Sequence, residues 1–444
     1  MFVIKHTSPI TERVEFGRSA RQRFPRRNLA LFPEKKLRRD PVALLKAADA
    51  QRIGRLLPVK YARMSLSPFA FFRGSAAVMA SDLSLTANTG CFVQLCGDAH
   101  VQNLGWFETP DGRIVFDMND FDETIRGPWE WDVKRMATSL LLAGYESEHN
   151  TAACISACES FLATYCDAMA ELAGQPILLA ARHQLHRLAS NLAAGPALEQ
   201  AKRATPMELR KRYTIQDKRG RTIFLESDRL WRVHGDEARH VLSSLPRYRK
   251  TLPDDRQHFF DFFSVRDVAF KIVGTGSVGL RDYVVLMEGN GPQDPLFLQI
   301  KEEAASIYQQ YLGTNSAYRH GGRRVADGQH RIQPISDLLL GWTSIEGRHY
   351  LVRQLNDHKG TIEMASLRGK GLSDLAIVGG HLLARGHARS GDALSIANYM
   401  GSGSRIVRSL SKYAEAAAEA TIHDFQKFKN AIKSGTLKIA KSPA

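Results

Sequence analysis

The chain has 444 residues, of which 43% are hydrophobic and 24% charged, and its formal net charge is +15. This composition is typical of globular proteins and excludes general disorder, and no apolar run approaches the roughly 18 residues that a membrane-spanning helix needs. The amino terminus carries charges throughout and lacks the apolar segment of a secretory signal. The five cysteines form no C-x-x-C pair. We therefore expect a soluble, reduced, cytoplasmic protein without structural zinc.

The positive charge favours anionic partners such as nucleotides, phosphorylated compounds, nucleic acid or acidic lipid. Part of it is concentrated in residues 18–39, where basic residues far outnumber acidic ones. This segment could be a solvated arm or an anion-binding segment, and its composition fits both interpretations.

In chain order, residues 41–61 predict a helix with a proline near its start, and residues 68–83 predict a second, buried helix. Residues 91–97 predict a buried strand. A turn at residues 110–112 between two β-prone runs predicts a hairpin. Residues 131–174 have helical periodicity.

Residues 175–260 mix basic helical segments with one strand-like run. After Phe262, five β-prone runs predict a small, mainly antiparallel sheet, with a helix at about 302–332 inserted after its third strand. Residues 373–434 predict a helical carboxyl-terminal region.

The segment GDAHVQN (97–103), termed the Asp98 loop, follows the predicted strand and places Asp98 five positions before Asn103. This D-x-x-x-x-N spacing also occurs in the catalytic loop of kinases. Phosphoryl transfer needs a carboxylate beside the attacking hydroxyl and a neutral oxygen ligand for Mg²⁺ in the same loop. A loop capped by its own Asp and Asn side chains is the structural alternative.

The segment DMNDFDE (117–123), termed the acid loop, ends the second strand of the predicted hairpin. Its carboxylates suit a divalent cation, although an exposed acidic loop is an equal alternative. The hairpin should place this loop beside the Asp98 loop, so that Asp98, Asn103 and Asp120 converge. Asp132, at the start of the next predicted helix, is interpreted as a structural, first-turn acid.

The Gly-rich turn (274–279) contains G-x-G-x-x-G between two predicted strands, which excludes a dinucleotide-binding fingerprint because no helix follows. A turn of this kind can let a backbone approach a triphosphate, whereas an ordinary β-turn is the alternative. Lys301 ends the next apolar strand and could point into a cleft toward phosphates. Asp327 or Glu303 could hold that lysine.

Together these segments resemble the protein-kinase-like superfamily, most closely its aminoglycoside- and choline-phosphotransferase branch, in which a G-D-x-H-x-x-N loop precedes a hairpin and an acidic motif. The matching segments here are GDAHVQN, DFDE and GPWEWDVKR. The chain from RMSLSPFAFFRG to LFLQIKEEA also resembles an uncharacterised bacterial family known as domain of unknown function 2252. That second resemblance implies no established activity.

The resemblance implies an α+β, two-lobed kinase-like fold that is circularly permuted, because the Gly-rich turn and lysine follow the Asp98 loop rather than precede it. The expected regions are a basic arm and helix (1–60), a large-lobe core (61–174), a helical insertion (175–261), a small β lobe (262–357) and carboxyl-terminal large-lobe helices (358–444).

The resemblance also implies ATP and Mg²⁺ as cofactors and assigns a role to each matching residue. Asp98 would accept or orient the proton of the acceptor hydroxyl, and Asp132 would brace its loop. The expected metal-site residues are Asn103 and Asp120, with Asp122 in a supporting position and Asp117 as a rival ligand. The expected nucleotide-binding residues are Gly274, Thr275, Gly276, Ser277, Gly279, Lys301 and Asn356, the last of these at the hinge against adenine.

The leading hypothesis is an ATP- and Mg²⁺-dependent phosphotransferase acting on a hydroxyl of a small molecule or protein, either neutral or anionic. Nucleotidyl transfer in the same cleft and a catalytically silent nucleotide-binding module are alternatives. A nucleic-acid-binding protein is a further, less favoured alternative, because the basic segment has few interleaved aromatic residues.

Overall fold

A computed structural model of the protein describes residues 8–182, 195–272, 274–313, 318–355 and 360–440. The fold is mixed α+β, with 54% helix, 16% strand and antiparallel sheets. The helices are α1 (Ile10–Arg23), α2 (Pro41–Ala48), α3 (Leu57–Met64), α4 (Pro68–Gly74), α5 (Ala76–Ser84), α6 (Trp129–Glu146), α7 (Thr151–Gly174), α8 (Ile177–Arg182), α9 (Gly195–Arg203), α10 (Pro206–Tyr213), α11 (Gly235–Ser243), α12 (Leu245–Arg249), α13 (Asp254–Phe260), α14 (Gln309–Leu312), α15 (Gly321–Ile332), α16 (Gly371–Ser390), α17 (Ala393–Met400) and α18 (Ser404–Lys433).

The strands are β1 (Phe92–Leu95), β2 (Leu104–Glu108), β3 (Ile114–Met118), β4 (Ile125–Pro128), β5 (Thr214–Gln216), β6 (Thr222–Phe224), β7 (Leu230–Arg232), β8 (Ser264–Lys271), β9 (Asp282–Glu288), β10 (Pro295–Glu302), β11 (Gly341–Ile345), β12 (Arg348–Gln354) and β13 (Gly360–Thr361). None of the described helices is both long enough and apolar enough to cross a membrane.

The largest hydrophobic core is mainly helical and is formed by α6, α7 and α16–α18 together with the short strands β1–β4. Trp129, at the start of α6, stacks on Tyr165 of α7 with a centroid distance of 5.5 Å. Gly380 of α16 lies so close to α7 that a Cβ atom there would be 2.8 Å from the Phe161 carbonyl oxygen. This core therefore supports the two loops that follow β1 and β3.

The six-stranded sheet has the order β11-β12-β10-β9-β8-β7, and all neighbouring strands are antiparallel. Alternate residues of β9 pack on opposite faces: Val285 lies in one core, and Val284 and Leu286 lie in another. The five strands predicted after Phe262 and the helix inserted after the third of them are confirmed, with α15 in the inserted position.

The segment expected to be a helical insertion (175–261) differs from that expectation in its second part. Strand β7 joins the edge of the sheet through β8. Helices α11–α13 place Val241, Tyr248 and Phe260 in the core on one face of the sheet. The apolar face of a sheet has to be covered, and these short helices cover it. Residue 262 is therefore not a boundary between packing units.

The predicted hairpin after the Asp98 loop is confirmed, since β2 pairs antiparallel with β3 across a turn that includes Gly112 at φ +76°. Strand β13 adds to its other edge. The predicted buried strand is β1, which pairs with β4.

The helix predicted over residues 41–61 is interrupted. It consists of α2 and α3, and the chain between them turns at Asp49. The buried Asp49 carboxylate accepts hydrogen bonds from Lys60 and, at 3.0 Å, from the Tyr61 hydroxyl. A continuous helix would separate these groups along its axis, so a buried polar cluster replaces helical continuity here.

The basic segment (18–39) packs against the carboxyl-terminal helices. Arg38 forms buried ion pairs with Asp82, at 2.8 Å, and with Asp424 of α18. Arg26 donates to the Met400 carbonyl oxygen at 2.6 Å. These arginines therefore hold distant parts of the chain together, a role that neither interpretation of the basic segment included.

Lys134 of α6 is an unusual residue in this core, because it is buried with its ammonium group 4.1 Å from the centre of the Tyr413 ring. Burial lowers its pKa to about 8, and Glu130 partly opposes the shift. Below pH 8 the folded protein therefore bears the cost of a buried charge. Between pH 8 and about 10.5 the folded form loses this proton before the unfolded form does. The free energy of unfolding of the wild type therefore increases with pH over this range.

We expect Lys134→Met to raise the free energy of unfolding by about 1–3 kcal/mol at pH 7, since the lost cation–π contact offsets part of the gain. The gain should shrink as the pH rises above 8. Urea denaturation at pH 7 and pH 9 measures both effects. Lys412→Met, at an exposed position on α18, should change stability by no more than about 0.5 kcal/mol. A destabilised Lys134→Met variant would contradict this account.

Candidate active site

A cavity of about 360 Å³ lies between the Gly-rich turn, which connects β8 with β9, and the Asp98 and acid loops. Its walls include the following residues that were predicted from the sequence: Asp98, Asn103, Asp120, Gly274, Gly276, Ser277 and Lys301. The fold thus brings together side chains from both halves of the chain.

Asp98 is held in place by Arg135, a buried residue of α6. The Arg135 Nε atom donates to Asp98 Oδ1 at 2.6 Å, and the Asn103 amide donates to the Asp98 carbonyl oxygen at 2.7 Å. Burial raises the pKa of Asp98 to about 6, Arg135 opposes this shift, and Asp120 adds to it. Burial also lowers the pKa of His100 well below its ordinary value, so this neighbour is neutral.

Asp132 fixes the backbone at the start of the Asp98 loop. Its two carboxylate oxygens accept hydrogen bonds from the backbone N–H groups of Cys96, at 2.7 Å, and Gly97, at 3.0 Å. The His387 Nε2 atom lies 3.3 Å from the same carboxylate. Gly97 has φ +87°, and a Cβ atom there would lie 2.2 Å from the Glu123 carbonyl oxygen. Asp132 therefore acts on the loop rather than as a cap of its own helix.

The three aspartates of the acid loop have different surroundings. Asp117 forms a buried ion pair with Arg385 of α16. Asp120 faces the cavity, and burial together with the neighbouring Asp122 raises its pKa. Burial opposes ionisation of Asp122, but Lys301 outweighs it and holds the pKa of that carboxyl well below its ordinary value. Asp120 is therefore the carboxylate of this loop that is presented to the cavity.

The partner of Lys301 is Asp122, which also accepts a hydrogen bond from Ser277 Oγ at 3.1 Å. The two candidates considered from the sequence are wrong. Asp327 lies 3.4 Å from an arginine of its own helix. Glu303 is buried, and burial raises the pKa of its carboxyl well above the ordinary value. The lysine is thus held by the acid loop and not by the helix that follows its strand.

Helix α15 contributes a cation rather than an acid to this region. The buried Arg324 guanidinium donates to the carbonyl oxygens of Asp122, Thr124 and Ala304, at 2.7–2.8 Å. These bonds connect the end of the acid loop to the segment after β10. The helix therefore fixes the backbone on either side of the Lys301–Asp122 pair.

The Gly-rich turn is open at two of its glycines and tethered at the third. A Cβ atom built on Gly274 or Gly276 would meet no atom within 4 Å. Gly279 has φ +93°, and a Cβ atom there would lie 2.9 Å from Arg52. The Arg52 side chain and the Ile53 amide donate to carbonyl oxygens of the turn, each at 2.7 Å. Gly279 therefore allows the close contact of the turn with Arg52 and Ile53, termed the tether, whereas Gly274 and Gly276 leave space at the cavity.

The sequence matches the model of a protein family described as "Uncharacterized protein conserved in bacteria (DUF2252)" over residues 52–431. The chain belongs to the DUF2252 family. Comparisons with curated proteins and with solved structures gave no match. The matched segment begins at the tether and includes every cavity residue described above.

In this DUF2252 protein, two of the nucleotide-binding residues expected from the sequence cannot be placed in the cavity. Asn356 is outside the described residues, as is the side chain of Thr275. Leu355 and Gly360, on either side of Asn356, line the cavity. The described residues contain no group of three or more His, Cys, Asp or Glu residues placed to hold a metal ion.

Two arginines of the DUF2252 cavity were missed by sequence reasoning. Arg353 of β12 lies in the wall and donates to Gln299 at 3.0 Å. Arg73 lies at the end of α4, whose sequence PFAFFRG is otherwise uncharged. A single charge in a buried apolar helix was the available signal for Arg73, whereas Arg353 followed an ordinary strand pattern.

Proposed function

We propose that this protein is a nucleoside-triphosphate- and Mg²⁺-dependent phosphotransferase that acts on a hydroxyl acceptor. The observation that carries the proposal is the single cavity into which Asp98, Asn103, Asp120 and Lys301 converge beneath an open Gly-rich turn. Each of these groups has a use in phosphoryl transfer, which depends on positioning and on stabilising negative charge.

The residues present fit a Mg²⁺–nucleotide complex. Mg²⁺ usually takes one or two protein carboxylates and completes its coordination with phosphate oxygens and water. Asp120 and Asn103 would hold it here, and a dedicated cluster of acids is not required. Lys301 and the backbone at Gly274 and Gly276 would bind the phosphates. A bound triphosphate supplies the phosphoryl group that is transferred.

Asp98 would orient the acceptor hydroxyl and take its proton. The Asp98 carboxylate is fixed by Arg135, so its position does not depend on the ligand. Asp132 and Asn103 hold the backbone of the same loop from two sides. A preorganised carboxylate of this kind lowers the entropic cost of aligning the acceptor hydroxyl with the phosphoryl group.

We also infer a kinase-like fold in which the order of the parts is permuted. The support is the succession of Gly-rich turn, lysine-bearing strand and helix (β8 to α15), followed later in the chain by Leu355, Gly360 and Thr361, which also line the cavity. The Asp98 and acid loops precede all of these parts in the chain.

Wild-type protein incubated with Mg²⁺ and ATP labelled in the γ-phosphate or the α-phosphate tests this proposal. Release or transfer of the γ label supports phosphoryl transfer. Incorporation of the α label into protein or small molecules would instead establish nucleotidyl transfer. Binding of Mg·ATP without turnover would identify a silent nucleotide-binding module. The absence of both binding and turnover would reject all three.

Lys301→Met removes the cation that pairs with Asp122, so we expect loss of turnover together with a loss of about 1–3 kcal/mol in stability, the cost of leaving a partly buried group without its partner. The double variant Lys301→Met/Asp122→Asn should regain most of the stability but none of the turnover, because the unpaired carboxylate is gone while the lysine is still missing. Thermal denaturation and γ-label release measure the two effects separately. Turnover by either variant would argue against the role of Lys301.

A further inference from the structure

Arg73 lines this cavity from a tightly packed position on α4. It lies one residue before the end of α4, whose first turn is capped by Ser67, which accepts a hydrogen bond from the Ala70 amide at 3.0 Å. A Cβ atom on Gly74 would lie 2.5 Å from the Met64 side chain, so α4 packs tightly on α3 at this point. Helix α4 also contacts the Gly-rich turn.

The same part of α4 is connected to Asp98. Arg135, which binds the Asp98 carboxylate, also donates to the Phe72 carbonyl oxygen at 3.1 Å. Its guanidinium lies 4.2 Å from the centre of the Phe72 ring. Because Phe72 directly precedes Arg73, these contacts fix the position of the Arg73 backbone relative to Asp98.

The Arg73 side chain has no hydrogen bond or ion pair within the part of the chain that the structure describes, and its Nε atom is fully buried without a partner. Burial lowers the pKa of the guanidinium, while Asp98, Asp120 and Glu146 oppose the shift. A buried donor without an acceptor is costly, and such groups in native proteins usually meet a ligand or water. Because Arg73 lines the cavity and its guanidinium has no partner among the described residues, the guanidinium can donate to a ligand held there.

The charges of the wall indicate what that acceptor is. Asp98 is neutralised by Arg135, and Lys301 by Asp122. The cavity then retains the cations Arg73, Lys271 and Arg353 against one carboxylate, Asp120. Lys271 lies beside the Tyr213 hydroxyl at 3.5 Å, and Arg353 binds the Gln299 amide, so neither contact removes charge. The nearby Asp282 opposes them only in part, because burial raises its pKa to about 7. The walls therefore favour an anion over a neutral ligand.

We propose that Arg73 binds an oxygen of an anionic group, phosphate or carboxylate, beside Asp98. Its guanidinium fork suits planar or tetrahedral oxyanions. The source of the anion depends on the proposed function. If that function holds, this group is either the phosphoryl group in transfer or an anionic substituent of the acceptor. Both have the same chemistry, and the source can be determined by experiment.

Calorimetric titration of inorganic phosphate into the full-length protein, with and without saturating Mg·ADP, tests the site directly. We expect Arg73→Gln to weaken phosphate binding at least about tenfold in both conditions, and Arg73→Lys to restore part of it. Arg408→Gln, which removes an exposed arginine of α18, is the matched control and should bind as the wild type does. The unfolding midpoint of Arg73→Gln should not fall, because burial disfavours this charge by more than Asp98, Asp120 and Glu146 favour it.

A comparison of Mg·ATP with Mg·ADP binding identifies the source of the anion. A lost preference for ATP in Arg73→Gln assigns the site to the transferred phosphoryl group. An unchanged preference, with weakened phosphate binding in the ADP complex, assigns it to the acceptor. Phosphate binding that is absent in the wild type, or equal in wild type and Arg73→Gln, would overturn the proposal. If no nucleotide binds but phosphate binding still depends on Arg73, the anion site stands and the phosphotransferase proposal fails.

Discussion

Asp120→Asn is expected to abolish Mg·ATP turnover, by a factor of at least about 10³, while leaving the protein as stable as the wild type or more so. Asp120 is buried, and its pKa is raised by burial and by the negative charge of Asp122. Removing its charge relieves this repulsion in the ligand-free protein. A residue with a purely structural role would give the opposite result, because its loss would reduce stability.

Two measurements separate these outcomes: release of γ-labelled phosphate, and the shift of the thermal unfolding midpoint caused by Mg·ATP. The wild type should show both, whereas Asp120→Asn should show neither with magnesium present. Asp167→Asn, at an exposed position on α7, makes the same chemical change outside the cavity and should retain both. A variant that is less stable than the wild type yet still turns over ATP would reject Asp120 as a metal ligand.

Asp132→Ala is expected to have the largest effect on stability, a loss of about 3–5 kcal/mol. The substitution leaves the buried N–H groups of Cys96 and Gly97 without acceptors and removes the neighbour of His387. Each orphaned buried donor costs about 1–3 kcal/mol. This expectation depends only on the hydrogen bonds and holds whether or not the protein is an enzyme.

Urea denaturation gives the free energy, and amide hydrogen exchange at Cys96 and Gly97 shows whether the loss is local. Asp255→Asn, an exposed first-turn acid of α13, should change stability by no more than about 0.5 kcal/mol. A loss below about 1 kcal/mol for Asp132→Ala, with unchanged exchange, would mean that other groups or water satisfy the two donors.

Turn residues and hydrophobic periodicity predicted those parts of the candidate site that depend on residues close together in the sequence. The hairpin between the Asp98 and acid loops follows from turn residues and β-prone runs, and the Gly-rich turn follows from glycine between strands. These features depend on neighbours within about ten positions, where periodicity and turn chemistry are informative.

Pairings between distant segments were not predictable in the same way. Lys301 has acids near it in sequence, but its partner is Asp122, 179 positions away. The break at Asp49 arises because its carboxylate meets Lys60 and Tyr61 in the folded protein, although helix propensity favours continuity. Strand β7 was missed because three residues carry no usable periodicity. In each case tertiary contacts outweighed local preference.

The pairing of Asp122 with Lys301 also has a consequence for the order of folding during synthesis. Both aspartate-bearing loops leave the ribosome long before strand β10 exists, and Arg324, which binds the acid loop backbone, follows later still. Until then Asp122 has no cation to offset its burial, so the acid loop cannot adopt its final, buried form. The cavity must therefore be completed after translation of residue 324, and the amino-terminal half of the chain cannot form it alone as it emerges.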